Sequence, residues 1–192
     1  MPTPKILAFA GSLRADSFNK KLVKIAIKGA EAAGAEVTYL DLRDYPLPVF
    51  DEDLEKAEGM PANGRKLKDL MFAHDGWLLA CPEYNSSITA VLKNTIDWTS
   101  RKQGDEAPLG CFTSKAVTLM AASPGALGGL RGLVVVRMLL SNIGMIVLPN
   151  QVAIPNAATA FNPDGTLVDA RKNADVTKLG ETLAGFLAKV KA

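Results

Sequence analysis

Histidine and cysteine are scarce in this chain. His74 is alone of its kind, and Cys81 and Cys111 are the two cysteines among 192 residues. Two cysteines cannot staple a disulfide scaffold, and with one histidine they cannot complete a four-ligand zinc site. They also exclude an iron–sulfur cluster held by four thiolates. An excess of either charge is missing too. Lys and Arg number 22 against 20 Asp and Glu, and a balance of +2 argues against an electrostatic nucleic-acid binder, although it leaves room for a local basic patch. No apolar run approaches membrane-spanning length, and Ile6 to Ala10 is too short for a signal-peptide core. Internal repeats, low-complexity stretches and a linker that would split the chain are absent. The expectation is one soluble, cytoplasmic domain spanning residues 1–192.

What is present is globular composition, 48% apolar and 22% charged, at a length whose core buries roughly 70% of the surface an unfolded chain exposes. Short apolar runs alternate with stretches of helical spacing. Ile6-Leu7-Ala8-Phe9-Ala10, ending at Gly11, reads as a strand buried on both faces. Phe18, Leu22, Ile25, Gly29 and Ala33 then share one side of a helix, with Lys20, Lys21, Lys24 and Lys28 largely opposite. Asp16 or Ser17 caps that helix and Gly34 stops it. Further strands are expected at Ala35–Leu40, Gly76–Cys81, Ala116–Ala122 and Met145–Leu148, the last extending through Val152–Ile154. Helices are expected over about 62–74, 90–101 and 128–141, with a final helix carrying Val176, Leu179, Leu183, Phe186, Leu187 and Val190 on one stripe. Residues 43–61 read as a long connection rich in proline and acid. This rhythm predicts an α/β fold, a flavodoxin-like doubly wound five-stranded parallel sheet of order 2-1-3-4-5 with helices on both faces. Ligands of such sheets bind outside the carboxyl ends of the strands, where strand order reverses. That directs attention to loops 11–17, 82–89 and 123–128.

The first loop, Gly11-Ser12-Leu13-Arg14-Ala15-Asp16-Ser17-Phe18-Asn19, contains neither a G-x-G-x-x-G fingerprint nor the Lys-Ser/Thr of a P-loop. It offers two hydroxyls, one guanidinium and one amide at a helix start, a set suited to a compact terminal phosphate. A capped helix start with a solvated arginine is the plainer alternative. The third strand exits into Pro82-Glu83-Tyr84-Asn85-Ser86-Ser87. Here Pro82 stiffens the chain, Tyr84 offers a ring to a flat ligand, and the backbone of 83–85 can pair with a heterocycle. Tyr84 as a half-buried aromatic and Asn85 as a turn residue are the alternative.

Three stretches together carry a resemblance: Gly11-Ser-Leu-Arg-x-x-Ser-x-Asn19, Pro82-Glu-Tyr-Asn-x-Ser87 and Leu92-Lys-Asn-x-Ile-Asp-Trp-x-Ser-Arg101. In this order they resemble the NADPH-dependent FMN reductase family, which includes enzymes described as chromate, quinone and azo-dye reductases. The resemblance implies that Ser12, Arg14, Ser17 and Asn19 hold the FMN phosphate. It also implies that Pro82, Glu83, Tyr84 and Asn85 line the isoalloxazine and ribityl chain, and that Ser123 contacts the flavin ring region. It implies FMN as cofactor, NADPH or NADH as co-substrate, a small electron acceptor reduced by ping-pong kinetics, and a dimer or tetramer. Many members have Pro-Gly where this chain has Thr89-Ala90. Thr89 can cap the helix in their place, and the lost glycine narrows the backbone of the substrate pocket.

No acid or base in these loops is assigned a catalytic role. Cys81 follows a buried strand without a C-x-x-C partner and reads as a core residue; His74 ends a helix. The run Asp51-Glu52-Asp53 with Glu55 reads as solvated, and Asp97 and Trp98 as structural. By resemblance Pro48, Val49 and Phe50 wall a neighbouring subunit's pocket. The helix from Leu130 to Leu140 is apolar nearly all round, which predicts a partner surface and a homo-oligomer. Two other readings stay open on the sequence: an electron carrier like flavodoxin, and a non-catalytic FMN-binding domain.

Overall fold

In the computed structural model, which describes residues 2–190, every apolar run becomes a strand: β1 (Lys5–Ala10), β2 (Glu36–Leu40), β3 (Gly76–Ala80), β4 (Ala116–Ala122) and β5 (Ile146–Ile154). All pairings are parallel and the order is β2-β1-β3-β4-β5. The predicted sheet is therefore the observed one. Alternation along β1 divides the core between the two faces. Ile6, Ala8 and Ala10 pack with α1 (Phe18–Ala32) and α6 (Ala170–Val190). Leu7 and Phe9 pack on the opposite face with residues of α3 (Ala62–Ala73), α4 (Ala90–Ser100) and α5 (Leu130–Asn142). No helix among the described residues is long and apolar enough to cross a membrane.

Two local readings need correction. The 43–61 connection contains a 3-10 turn at Leu42–Asp44 and a helix, α2 (Glu52–Glu58). No residue of α2 is buried, so it leaves no apolar stripe to find. Its sequence signal was Asp51, whose carboxylate accepts from the Asp53 and Leu54 amides at 2.8 and 3.4 Å. Lys20 does not belong to the solvated face of α1. It is buried and paired with Asp41 at 2.6 Å. The expected extension of β5 through Val152–Ile154 is observed, and the strand runs unbroken through Pro149 because the register with β4 jumps between Val117–Val147 and Leu119–Gln151. The Arg137 guanidinium answers the carbonyls freed by that bulge, donating to Val147, Leu148 and Pro149 and to the Gln151 side chain.

Helix α1 is set in place by α6. Where they cross, a Cβ on Gly29 would lie 2.0 Å from the Thr177 carbonyl oxygen, and one on Gly180 would lie 1.9 Å from that of Ala26. Neither position has room for a methyl group against backbone. We expect Gly180→Ala to destabilise the domain by about 3 kcal/mol, the upper end of ordinary overpacking. Urea denaturation measures it; a loss below about 0.5 kcal/mol would show that the crossing can slide apart.

Candidate functional site

The carboxyl ends of β1, β3 and β4 bring the three singled-out loops together. One cleft is lined by Ser12, Arg14, Ser17 and Asn19, by Pro82, Glu83 and Tyr84, and by Ser123, with Phe18, Ala122 and Pro124 completing it. Its enclosed volume of about 50 Å³ suits a compact anion better than a heterocycle. Asn85 turns at its edge and does not line it.

The loop residues divide into those free to bind and those already committed. Ser17 occupies the N-cap position of α1 in extended conformation, yet its hydroxyl makes no cap hydrogen bond. The hydroxyl and the first-turn amides of α1 are thus left at the cleft, a donor set at the positive end of the helix dipole. Ser12 is buried, and its Oγ accepts only a long bond, 3.3 Å, from the Arg14 amide. The Arg14 guanidinium is exposed and in no ion pair among the described residues. Asn19, by contrast, has spent its amide. Its Nδ2 donates to the Ala122 carbonyl at 2.8 Å, and its Oδ1 accepts from the Ala122 N–H at 3.0 Å. Asn19 therefore ties the cleft's two walls together.

Glu83 is committed as well. Its carboxylate accepts from Arg131 at 2.7 Å and from the Gly132 N–H at 3.0 Å, fastening the loop after β3 to the start of α5. Burial would raise this carboxyl, but the bonds from Gly132 and Arg131 prevail and hold it below its ordinary value of 4.5. Beyond it, Tyr84 and Ser87 exchange both backbone hydrogen bonds at 3.0 Å around a two-residue turn. Asn85 and Ser86 both have positive φ there, 51° and 63°. This is the backbone of a primed hairpin turn; asparagine tolerates it well and serine less so. The turn leaves the Tyr84 ring 54% exposed, flat and available.

The Thr89 substitution of the family pattern proves constructive. Its hydroxyl accepts from the Leu92 amide, capping α4, and donates to the Gly11 carbonyl at 2.7 Å. Helix α4 then sits so close that a Cβ on Gly11 would meet Leu92 Cβ at 2.9 Å. One hydroxyl joins the loops that follow β1 and β3. Leu13 forms the ridge to a second cleft of about 300 Å³ beside Tyr45, Leu47 and Val91.

The remaining candidates are structural. Burial pushes the Cys81 thiol far up, and Cys111 to about 11, so neither is a thiolate near neutral pH. His74 is buried with both ring nitrogens engaged, Nδ1 with the Leu70 carbonyl at 2.6 Å and Nε2 with Thr38 Oγ1 at 2.8 Å. Asp97 pairs with Lys93, and the Trp98 indole donates to the Pro48 carbonyl at 2.8 Å. Asn94 grips the same segment through Pro48 and Phe50, leaving Val49 83% exposed and outside the cleft. Glu55 is not solvated but paired with Arg101 at 2.8 Å. No group among the described residues is arranged to hold a metal ion.

Sequence reasoning missed the cleft's Phe18, which it had placed with the core, and the clamp from Arg131. Phe18 was detectable as an aromatic at the first helical position beside Ser17. Arg131 carried no signal, because its partner lies 48 residues away.

The Glu83 clamp has a pH signature. Its carboxyl is lowered by folding, so it contributes stability above 4.5 that is lost as the pH falls through the lowered value. We expect Glu83→Gln to cost about 1 kcal/mol near neutral pH, allowing for the exposed Arg131, and clearly less at an acid pH that protonates the carboxyl. Urea midpoints at the two pH values measure this; equal costs at both would remove the charge from the account.

Known proteins share this fold and much of this sequence. The sequence profile of the family described as NADPH-dependent FMN reductase matches residues 4–159. An NAD(P)H-dependent FMN reductase of Pseudomonas aeruginosa is 35% identical over 166 residues, 86% of this chain and 85% of that protein. A quinone reductase of Pseudomonas putida is 32% identical over 165 residues, 85% of this chain and 84% of the relative. Among solved structures, FerB from Paracoccus denitrificans, a flavoenzyme NAD(P)H:(acceptor) oxidoreductase, is similar with a TM-score of 0.78 and 26% identity, covering 97% of this chain and 98% of that one. With a family match over most of its length and relatives above 30% identity, this chain belongs to the NADPH-dependent FMN reductase family.

Proposed function

We propose that this enzyme carries electrons from NAD(P)H to a small flat acceptor, a quinone foremost, through FMN seated with its phosphate in the cleft at residues 12–19. The observation that carries the proposal is the uncommitted donor set there: Ser17 without a cap bond, the first-turn amides of α1, and Arg14 without an ion pair. Residues 12–19 and 82–85 would hold FMN, which when bound would supply the two-electron redox chemistry between NAD(P)H and the acceptor, in two half-reactions with ping-pong kinetics.

The chain's own residues bind and orient. Ser12 and Ser17 donate hydroxyl hydrogen bonds to the phosphate, and Arg14 neutralises its charge. Asn19 contributes by holding the loop against β4. Pro82 to Asn85 offer a stiff backbone edge and the Tyr84 ring to the heterocycle, with Ser123 opposite. Glu83 acts through its backbone, since its ionised carboxylate is turned to Arg131 and is no proton donor at neutral pH. The quinone assignment draws on the Pseudomonas putida relative.

The working form is a homo-oligomer. On α5, Leu133, Val136 and Leu140 are buried while Leu130, Val134 and Met138 form an exposed apolar stripe. Beside it, an open groove of about 600 Å³ runs between α4 and α5, lined by Ile88, Ala90, Val135, Leu139 and Ile143. The occupant proposed is a second copy of the chain, because stripe and groove adjoin on one face and a two-fold axis would set each stripe against the other copy's groove. The groove begins at Ser87, so the partner would border the flavin site.

Three outcomes check these readings. NADPH added anaerobically to the FMN-saturated protein should bleach the bound flavin band, and a quinone should restore it; a bound flavin that stays yellow would instead indicate a carrier or a binding domain. Arg14→Ala should weaken FMN by about 2 kcal/mol, roughly thirtyfold, in a fluorescence titration, and unchanged affinity would refute the phosphate assignment. Light scattering at micromolar concentration should show a dimer or larger, converted toward monomer by Val134→Lys; a monomeric parent protein would sink the oligomer.

A further inference from the structure

Arg14 is a long, exposed side chain, and a free guanidinium loses substantial rotamer entropy when it closes on an anion. A platform that already orders it reduces that cost. Here the platform is Phe18, whose ring centroid lies 5.7 Å from Arg14 Cζ. Lys21 also reaches this ring, at 5.9 Å, but its ammonium is paired with Asp16 at 2.6 Å. Phe18 is in turn stacked on Phe161, with centroids 6.0 Å apart and planes 7° from parallel.

Phe161 comes from the far end of the chain, in the segment between β5 and α6 and just past the stretch that the family profile matches. That segment is a small built structure. Phe161 pairs antiparallel with Leu167, the Asn162 amide donates to the Thr166 carbonyl at 2.8 Å, and the Val168 amide donates to that of Ala160 at 3.0 Å. Asp164 accepts from both the amide and the hydroxyl of Thr166, at 2.9 and 2.6 Å. Leu167 is buried, and its amide donates to Asn173 on α6 at 3.0 Å. These bonds close on themselves and extend no sheet. Their product at the cleft is a fixed aromatic ring beside Phe18.

We propose that Phe161 is a positioning residue for Arg14, acting through Phe18, and that it thereby helps the site prefer a phosphorylated flavin over riboflavin. This rests on the reading of the cleft as the FMN phosphate site. An aromatic stack that immobilises the ring under a guanidinium leaves fewer side-chain states to lose on binding, and only a ligand with a phosphate collects that benefit. Riboflavin shares the ring and the ribityl chain but offers Arg14 no anion.

The test titrates FMN and riboflavin separately into the flavin-free full chain, as the parent protein, Phe161→Ala, Arg14→Ala and the double variant. Phe161→Ala is expected to weaken FMN about three- to tenfold while changing riboflavin by less than about twofold. In the Arg14→Ala background the same substitution should have no further effect on FMN, since the coupling runs through the guanidinium. Equal weakening of both flavins, or an undiminished loss without Arg14, would show a general loosening of the hairpin and overturn the proposal. Phe161→Leu keeps the apolar bulk should the alanine variant fold poorly; it should lower the FMN-to-riboflavin preference, and a preference equal to the parent's overturns the proposal. A parent protein that binds neither flavin overturns the phosphate reading itself. Normal FMN binding with uncoupled Phe161 variants overturns this inference alone.

Discussion

The amide of Asn19 is the interaction on which the site depends. A parallel sheet leaves its strand ends diverging, and at the switch point the chains leaving β1 and β3 depart to opposite faces. Nothing in the sheet's own ladder holds the loop after β1 against the end of β4, because β3 lies between them. Asn19 does so with two hydrogen bonds to the backbone of one buried residue, Ala122, 103 residues away. A donor and an acceptor on one planar group match the N–H and C=O of a single residue, and an ionised carboxylate, which only accepts, would leave the carbonyl without a donor. With α1 pressed on α6 through Gly29 and Gly180, the helix that presents its N-terminus to the cleft is fixed along its length and at its start.

The division of labour among polar groups follows from that frame. Asn19, Glu83, Thr89 and His74 are saturated by neighbours, and each joins two elements that are distant in sequence. Ser17 and Arg14 are left unsaturated at the same mouth. Buried polar groups ordinarily find partners, so the open hydroxyl of buried Ser17, beside the exposed Arg14, is what supports the phosphate reading of this edge of the sheet. The Asn85–Ser86 turn, with its two positive φ angles, belongs to the same economy, because a strained turn persists there only while β3 and α4 hold its ends.

Much of this was legible before any coordinates. The five apolar runs and their order followed from periodicity, because a strand buried on both faces has little latitude in composition. The loops at 11–19, 82–87 and 123 could be singled out because a doubly wound sheet has one switch point. The short helix α2 was not legible, since a helix that buries nothing writes no stripe. The bulge through Pro149 was not legible either, because Arg137 on another element supplies its hydrogen bonds. All of the singled-out residues except Asn85 line one cleft, with Phe18, Ala122 and Pro124 beside them, but whether each binds or braces depends on partners that spacing does not reveal.

By itself the sequence determined the sheet, its helical layers and which loops meet at the cleft, because these follow from short-range patterns of apolar and polar residues. Tertiary structure decided which groups stay free. Asn19 and Glu83 read as ligand contacts in the linear motif; both line the cleft, and their side chains also fasten it to Ala122 and to Arg131 and Gly132, while Ser17 at the N-cap position makes no cap bond. Phe161 carries no signal in its own neighbourhood and acquires a role only by stacking on Phe18. The reason is physical: the capacity to form a hydrogen bond belongs to a residue type, but whether that capacity is already used depends on what the fold brings within about 3 Å.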